Sequence, residues 1–498
     1  MTEFVEKVPP ARATGFLRNQ VDPLSRVVLA ALIIAVPLHF VGLGRAFWLD
    51  EAFTGGIAAQ QSLGAVLRLT LHDTNGPVYY VIAHYWSLLF GLSNVALRVP
   101  SALAAVAAGW IAATSRSPID PETKLVWAAL LALWLPGFYY ATEARCYMLL
   151  FCLTTINTLL FAKLIFTPQR KTAILWAVVS LFAGLTHYHA LLLVGTQGLV
   201  LIALHRRRAL SLWPACLVLL PIPFWLALQF PTIVQYLAPN TSWYWLLTLH
   251  DMPSLIDFMA GSVSMAGIAL IMLLANVFRA AIRPKGGTLD PLWLVVFAGL
   301  LPALVVIAMG FFRPSFTERY LIGFAPSILL GLALIMRDAK SYWRTAPLGL
   351  VLMFASVAVV WSVRQIGAPD KLYSFEGASQ SLIDRGTRRL IFFWDNPNSK
   401  VMDANLASAV GGFFFVRAGV PIDVTPVRLE PGEDPNERLI SEARAHDAAI
   451  LWVYDMAVRG TAASSYPYDI TARDPAFACD NFGKGRFGII ACHDRPRS

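Results

Sequence analysis

Long apolar segments alternate with short polar loops over the first 363 residues of the chain. A helix needs roughly 20 residues to cross the hydrocarbon core of a bilayer, and eleven segments come close to that length. They run over 27–43, 95–114, 125–142, 146–165, 173–186, 190–204, 212–230, 261–278, 292–312, 321–336 and 347–363. The pattern predicts an all-α polytopic membrane bundle of about eleven transmembrane helices.

A further apolar segment, 79–91, is too short to span and is interpreted as an interfacial or re-entrant helix. Charge tests this interpretation, because short cytoplasmic loops carry an excess of Lys and Arg. With the N-terminus inside and 79–91 not spanning, the short inner loops hold seventeen Lys and Arg residues and the outer segments hold six. If 79–91 spanned, the basic run 206–208 would lie outside, so we reject that alternative.

Composition supports the membrane class. Of 498 residues, 57% are hydrophobic and only 14% are charged, and the mean hydropathy is +0.58, whereas about 25% of residues in soluble domains are charged. The first apolar segment lacks a small-residue cleavage site and is followed by further spans, which is typical of an anchor and not of a signal peptide. The net charge of +9 is explained by loop topology, and no nucleic-acid signature is present.

The chain changes character beyond Arg364, where charged and turn residues return. Strand-like runs at 389–394, 448–453 and 487–492 alternate with helix-like segments at 403–418 and 436–446. This alternation predicts a small α/β domain over 364–498, after a transmembrane domain over 1–363. An odd number of spans places this second domain on the outer side of the cytoplasmic membrane.

The five cysteines fall into two groups. Cys479 and Cys492 flank a turn-like segment, as across a hairpin, and a disulfide between them fits an oxidising compartment. Cys146, Cys152 and Cys216 lie within or at the ends of apolar segments and are interpreted as small packing residues.

Polar residues from five separate places in the sequence are predicted at one membrane face. They are Asp50, Glu51, His72, Asp73, Glu143, Arg145, Tyr147, His187, His189, Glu318, Arg319 and Tyr320. Ionisable residues gathered at one end of a helix bundle predict a functional site. Each group also has a simpler interpretation, as a solvated acidic loop, a surface ion pair or an interfacial anchor. His187 and His189 lack the i, i+4 spacing of two helical metal ligands.

The order of these motifs resembles the GT-C superfamily of polytopic glycosyltransferases, in the branch of the aminoarabinose transferases and protein O-mannosyltransferases. The resemblance covers about 27–336. Its motifs are Asp50-Glu51, His72-Asp73 with Pro77-Val78-Tyr79-Tyr80, Leu97-Arg98-Val99-Pro100-Ser101-Ala102, Glu143-Ala144-Arg145-Cys146-Tyr147, and Glu318-Arg319-Tyr320 with Pro326. One departure is Gly76-Pro77, where the family often has two prolines.

The resemblance implies an inverting transfer of a hexose or pentose from a polyprenyl-phosphate donor to a cell-envelope acceptor. It implies that Asp50 is the catalytic carboxylate and that Glu51 assists it. Arg319 and Arg145 would hold the leaving phosphate. A divalent cation, Mg²⁺ or Mn²⁺, is left open, with Asp50 and Glu143 as its ligands. The other residues implied to bind substrate are His72, Asp73, Tyr79, Glu143, Tyr147, His187, His189 and Tyr320.

Two other classes compete with this interpretation. A transporter or lipid flippase places ionisable groups near the bilayer midplane, often in repeated halves, whereas these spans hold almost no charge and show no repeat. A non-catalytic assembly or sensor protein accounts for an outer domain but not for the acidic first loop. The sequence does not name the sugar or the acceptor.

Overall fold

The computed structural model describes residues 23–237, 246–261, 263–282, 290–340, 344–366, 374–396, 401–429, 433–455, 469–483 and 487–495. The first part of the chain is helical. Its helices are α1 (Pro23–Leu38), α2 (Leu49–Ala58), α3 (Leu63–Leu71), α4 (Pro77–Phe90), α5 (Asn94–Thr114), α6 (Pro121–Leu133), α7 (Leu135–Ala141), α8 (Tyr147–Phe166), α9 (Arg170–Gly184), α10 (Ala190–His205), α11 (Arg207–Leu210), α12 (Pro221–Tyr236), α13 (Met252–Ala260), α14 (Val263–Ile282), α15 (Leu292–Phe312), α16 (Ala325–Ala339) and α17 (Ala346–Gln365). Short 3-10 helices lie at Trp213–Leu219, Leu249–Asp251 and Glu318–Leu321.

A helix lies at each of the eleven predicted apolar segments, but fewer pass a strict test for spanning. By length and composition, five helices of the described chain can cross a membrane, and six if α6 and α7 form one span bent by 47°. In these helices, apolar side chains at helical spacing form a face that is buried inside the bundle. The chain is an integral membrane protein, and a count of eleven spans stays a prediction.

The C-terminal part is an α/β unit. It contains α18 (Phe375–Asp384), β1 (Arg389–Asp395), α19 (Ala404–Arg417), β2 (Asp423–Val427), α20 (Pro435–His446), β3 (Ala449–Asp455), α21 (Ile470–Arg473), β4 (Phe477–Asn481) and β5 (Phe487–Asp494). The strand order is β2-β1-β3-β5-β4. The strand β1 is parallel to β2 and β3, whereas β5 is antiparallel to β3 and β4.

Alternation along the central strands gives this sheet two buried faces. On β1, Ile391 and Phe393 pack in one cluster, whereas Leu390 and Phe392 pack in another, because successive side chains of a strand point to opposite faces. The second cluster is continuous with the core of the helix bundle. The sheet is therefore packed onto the bundle through one of its faces.

The strands β4 and β5 carry the two cysteines of the expected hairpin. Cys479 lies directly opposite Cys492 in the β4–β5 register, and the two are joined by a disulfide. Cys146 and Cys152 are buried and reduced, whereas Cys216 is exposed.

Candidate active site

The site is built around the first turn of α2, which begins directly after Trp48. Asp50 and Glu51 both lie in that turn, where free backbone N–H groups and the helix dipole favour carboxylates. Adjacent residues of a helix point about 100° apart, so the two carboxylates enter different surroundings. The Asp50 side chain is 21% exposed, whereas that of Glu51 is fully buried.

Glu51 is bound at both carboxylate oxygens. Arg98 on α5 donates from Nε to Oε1 at 2.6 Å and from Nη2 to Oε2 at 2.5 Å. The backbone N–H of Ala144 donates to Oε1 at 2.8 Å. The Arg98 guanidinium also donates to the carbonyls of Leu43 and Arg45. Glu51 thus joins three segments of the chain, and protein donors already occupy both of its oxygens.

Asp50 meets the two arginines that sequence reasoning assigned to phosphate. Arg319, in the Glu318–Leu321 turn, donates from Nη1 to Oδ2 of Asp50 at 2.8 Å. Arg145 donates from Nη1 to the backbone carbonyl of Asp50 at 3.1 Å. The Arg319 guanidinium lies over the Tyr147 ring, 5.7 Å from its centroid. Three of the predicted motifs therefore meet at Asp50.

Arg145 links Asp50 to the Asp73 loop. Its Nη1 also donates to the hydroxyl of Tyr80 at 3.3 Å, and its buried Nε has no hydrogen-bond partner among the residues that the structure describes. Tyr80 and Asn75 both donate to Oδ2 of Asp73. Burial, and then the neighbouring Asp73 charge, raise the pKa of the Tyr80 hydroxyl well above its usual value. Tyr80 therefore stays protonated and serves as a donor.

The rings of His187, His189 and Tyr320 form a stack beside the ion pair of Asp50 and Arg319. The His189 ring lies 4.6 Å from that of Tyr320, at an interplanar angle of 17°, and 5.0 Å from that of His187. Burial lowers the pKa of His189 to about 4. Burial, the neighbouring His189 and the two arginines lower the pKa of His187 well below its usual value. Both imidazoles are therefore neutral at pH 7.

The remaining sequence candidates lie in different surroundings. Glu143 is buried, and the Tyr139 hydroxyl forms a hydrogen bond with its carboxylate. Tyr79 is buried beside Tyr80 on α4 but points in a different direction, and its hydroxyl lies 2.9 Å from the Ser101 hydroxyl. His72 is exposed at the end of α3. The structure does not bring Tyr79 or His72 into contact with Asp50.

Comparison with known proteins finds similarity in fold but not in sequence. No family model matches the chain, and no curated protein matches it in sequence. ArnT from Cupriavidus metallidurans in the apo state has 12% identity and a TM-score of 0.57, over 96% of this chain and 100% of that one. The same protein bound to undecaprenyl phosphate has 10% identity and a TM-score of 0.53, over 95% and 100%. The apo oligosaccharyltransferase of Archaeoglobus fulgidus has 10% identity and a TM-score of 0.50, over 93% and 74%.

The chain has the GT-C fold. This confirms the fold that the sequence motifs implied. Identities of 10–12% support a shared architecture only, so the chemistry of this protein has to be argued from its own residues.

The divalent cation implied by the resemblance would have Asp50 and Glu143 as its ligands, and it stays a prediction. Among the residues that the structure describes, no group of three or more His, Cys, Asp and Glu side chains is placed to hold a metal ion. Asp50 pairs with the Arg319 guanidinium, which supplies the positive charge beside this carboxylate in the structure.

Three residues of this site were not singled out from the sequence. Arg98 and Tyr80 occur in quoted motifs, but their partners lie 47 and 7 residues away. Gln229 on α12 is fully buried and donates from Nε2 to the backbone carbonyls of Thr70, Asp73 and Asn75. In the sequence, the signal for this contact is a glutamine within an apolar segment.

Proposed function

We propose that this protein is a membrane glycosyltransferase. It transfers a sugar from a polyprenyl-phosphate-linked donor to a cell-envelope acceptor, which is a lipid, a glycan or a protein. The observation that carries the proposal is Asp50 within a GT-C fold: Arg319 binds its part-exposed carboxylate, and Arg145 binds its backbone carbonyl. One solved structure with this fold is described as bound to undecaprenyl phosphate, which supports a donor of that class.

The groups around Asp50 match the two charges that the reaction creates. As the acceptor hydroxyl attacks the anomeric carbon, its proton passes to the Asp50 carboxylate and the new C–O bond forms. The bond from that carbon to the phosphate oxygen breaks, and the phosphate leaves with the electron pair, which inverts the configuration. Arg319 and Arg145 stabilise this phosphate through charge-assisted hydrogen bonds. A positioned base contributes roughly 10²- to 10⁴-fold.

The ring stack binds the sugar in this proposal. His187, His189 and Tyr320 present neutral rings beside the charged pair. Such rings pack against the apolar face of a sugar without adding charge. Glu51 has a positioning role, because Arg98 and Ala144 occupy its oxygens. The Asp50 end of the bundle and the C-terminal α/β unit face the outside of the cytoplasmic membrane.

In vitro transfer from a polyprenyl-phosphate sugar by the purified protein tests this function. We expect Asp50→Asn to lower turnover by at least about 10²-fold, or roughly 2.7 kcal/mol of barrier. Arg319→Ala should weaken use of the donor. Asp290→Asn is the matched control, because Asp290 also pairs with an arginine, Arg337, at 2.6 Å and with similar exposure. Asp290 precedes α15, whereas Arg319 follows it.

Three outcomes would contradict the proposal. Near-normal turnover by Asp50→Asn would remove the proposed base. Loss of activity on addition of a chelator, with recovery on adding Mg²⁺ or Mn²⁺, would replace the arginine-based mechanism with a metal-based one. Movement of the lipid across a proteoliposome membrane, with no sugar transferred, would assign the protein to the flippases.

A further inference from the structure

The C-terminal unit contacts the helix that carries Asp50. Two successive glycines of α2 lie against α19 at very short range. A Cβ atom at Gly55 would lie 2.4 Å from the Phe413 ring, and one at Gly56 would lie 2.6 Å from the backbone carbonyl oxygen of Ala409. Contacts below 3.0 Å are forbidden to real Cβ atoms, so only glycine permits this approach of the two helices.

A second set of contacts reaches the start of α2. The Phe413 ring stacks on that of Phe47, with centroids 6.1 Å apart. The Arg98 guanidinium also lies over the Phe47 ring, 4.8 Å from its centroid. Arg98 in turn holds both oxygens of Glu51. A continuous row of side chains thus joins α19 to the residue next to Asp50.

The Phe53 side chain of α2 also contacts the C-terminal unit. The Phe53 ring packs edge-on against that of Trp394, at the end of β1, with centroids 5.8 Å apart. Arg417 of α19 donates to the side-chain oxygen of Asn94 at 2.7 Å, and Asn94 donates to Glu376 of α18 at 2.6 Å. The C-terminal unit therefore holds α2 on both sides of Asp50 and is tied to the start of α5.

We propose that the C-terminal α/β unit is a positioning element of the active site, and that it acts through the contact of α19 with Gly55 and Gly56. Its role, on this view, is to fix the height and direction of Asp50 against Arg319 and the acceptor. The proposal rests on the function proposed above. Misplacement of a reacting group by about 1 Å costs on the order of 10²-fold in rate, so a small shift of α2 is sufficient to matter.

Single alanine substitutions test this contact with little other disturbance. Alanine favours a helix over glycine by roughly 0.5–1 kcal/mol, so a loss of activity in Gly55→Ala or Gly56→Ala does not come from a weaker α2. We expect kcat to fall by at least about 10-fold in each, with KM for the polyprenyl-phosphate sugar little changed. Gly64→Ala on α3 is the control, since its nearest contact would be Arg68 at 3.6 Å.

A second substitution separates positioning from unfolding. Phe413→Leu in the Gly55→Ala background removes the ring that the new methyl group meets, so kcat should recover. If Gly55→Ala alone does not fold, Phe413→Leu alone loosens the same contact and should lower kcat with the same KM pattern. Normal kcat in both glycine variants, an equal loss in Gly64→Ala, or no recovery in the double variant would overturn the proposal. An inactive wild-type protein would instead contradict the proposed function.

Discussion

At the scale of single residues, Asp50 and Glu51 show how one turn of helix separates two identical groups. Both carry a carboxylate, and both pair with an arginine. Glu51 and Arg98 are 0% and 1% exposed, whereas Asp50 and Arg319 are 21% and 11% exposed. Arg98 completes its bonds with backbone carbonyls, so the first pair is closed, while the second borders accessible space. Environment, and not residue type, divides the buried pair from the pair that we propose to react.

Removal of the Glu51 charge should destabilise the protein. Glu51→Gln leaves the Arg98 guanidinium buried without its counter-charge, which costs about 3–5 kcal/mol when a buried pair is broken. Thermal unfolding in detergent should show a clearly lower melting temperature. Glu122→Gln breaks the exposed pair with Lys340 and should change it little, because such pairs contribute about 0–1 kcal/mol. Equal melting temperatures for the two variants would contradict the closed-pair interpretation.

The two histidines predict an acid-sensitive fold. In the folded protein the pKa of His189 is about 4, against 6.5 for an ordinary histidine, and that of His187 is lowered as well. Between pH 6.5 and 4 the unfolded chain binds more protons, so stability falls as pH falls through that range. The slope from each ring is at most about 1.4 kcal/mol per pH unit.

Melting temperatures at pH 7 and pH 5 test this dependence. His189→Gln should show a smaller decrease than the wild type between these pH values. His72→Gln changes an exposed ring at the end of α3 and should decrease as the wild type does. The same decrease in all three proteins would mean that the buried imidazole is not linked to folding.

At the scale of elements, a single contact between α12 and the 72–76 loop supports the site. Gln229 donates to the backbone carbonyls of Thr70, Asp73 and Asn75, and Tyr188 donates to the Gln229 side chain. These carbonyls follow the end of α3, where helices leave their last carbonyls unsatisfied. The amide of Gln229 thus fixes the loop that presents Asp73 to Tyr80.

Gln229→Leu should release this loop. The leucine has a similar size but no donor, so the Asp73 carbonyl loses the hydrogen bond from Gln229, at a cost of about 1–3 kcal/mol. We expect lower transfer activity and faster proteolysis within 72–76 in the purified protein. Gln235→Leu, on an exposed position of the same helix, is the control. Unchanged proteolysis and activity in Gln229→Leu would show that the loop holds its position without α12.

The two strands that sequence reasoning missed share a cause. The strands β2 and β4 lie at the two edges of the sheet, and each has only five residues. β2 also contains Pro426, which removes a backbone donor and is tolerated at an edge. The central strands β1 and β3, by contrast, are apolar runs long enough to stand out. Edge strands depend on tertiary pairing, which a local pattern does not contain.

At the scale of the whole molecule, the motifs predicted which residues gather around Asp50 but not their detailed contacts. Their order along the chain was sufficient to bring Asp50, Arg145 and Arg319 together. The choice of Tyr80 over Tyr79 was not predictable, because adjacent positions of α4 face different neighbours. His187 and His189 lack the spacing of two metal ligands on a helix, but they lie in the turn between α9 and α10, where their rings meet.

The orientation of the bundle is the last prediction, and the helix lengths make it testable. The helix α10 runs from His189 at the site to His205 beside the basic run 206–208, and 16 residues of helix extend about 24 Å. The charge asymmetry predicts that the basic end faces the cytoplasm. The 72–76 loop and the C-terminal unit then lie together outside.

Impermeant maleimide labelling of intact cells measures this directly. Cys216, the exposed cysteine among those that the structure describes as free, is first replaced by serine. Cysteines are then introduced singly at the exposed positions Thr74, Arg388 and Arg207. We expect labelling of Thr74→Cys and Arg388→Cys in intact cells, and of Arg207→Cys only after permeabilisation. Labelling of Arg207→Cys in intact cells would show that the bundle has the opposite orientation. The proposed site would then lie where a lipid-linked donor on the outer leaflet could not reach it.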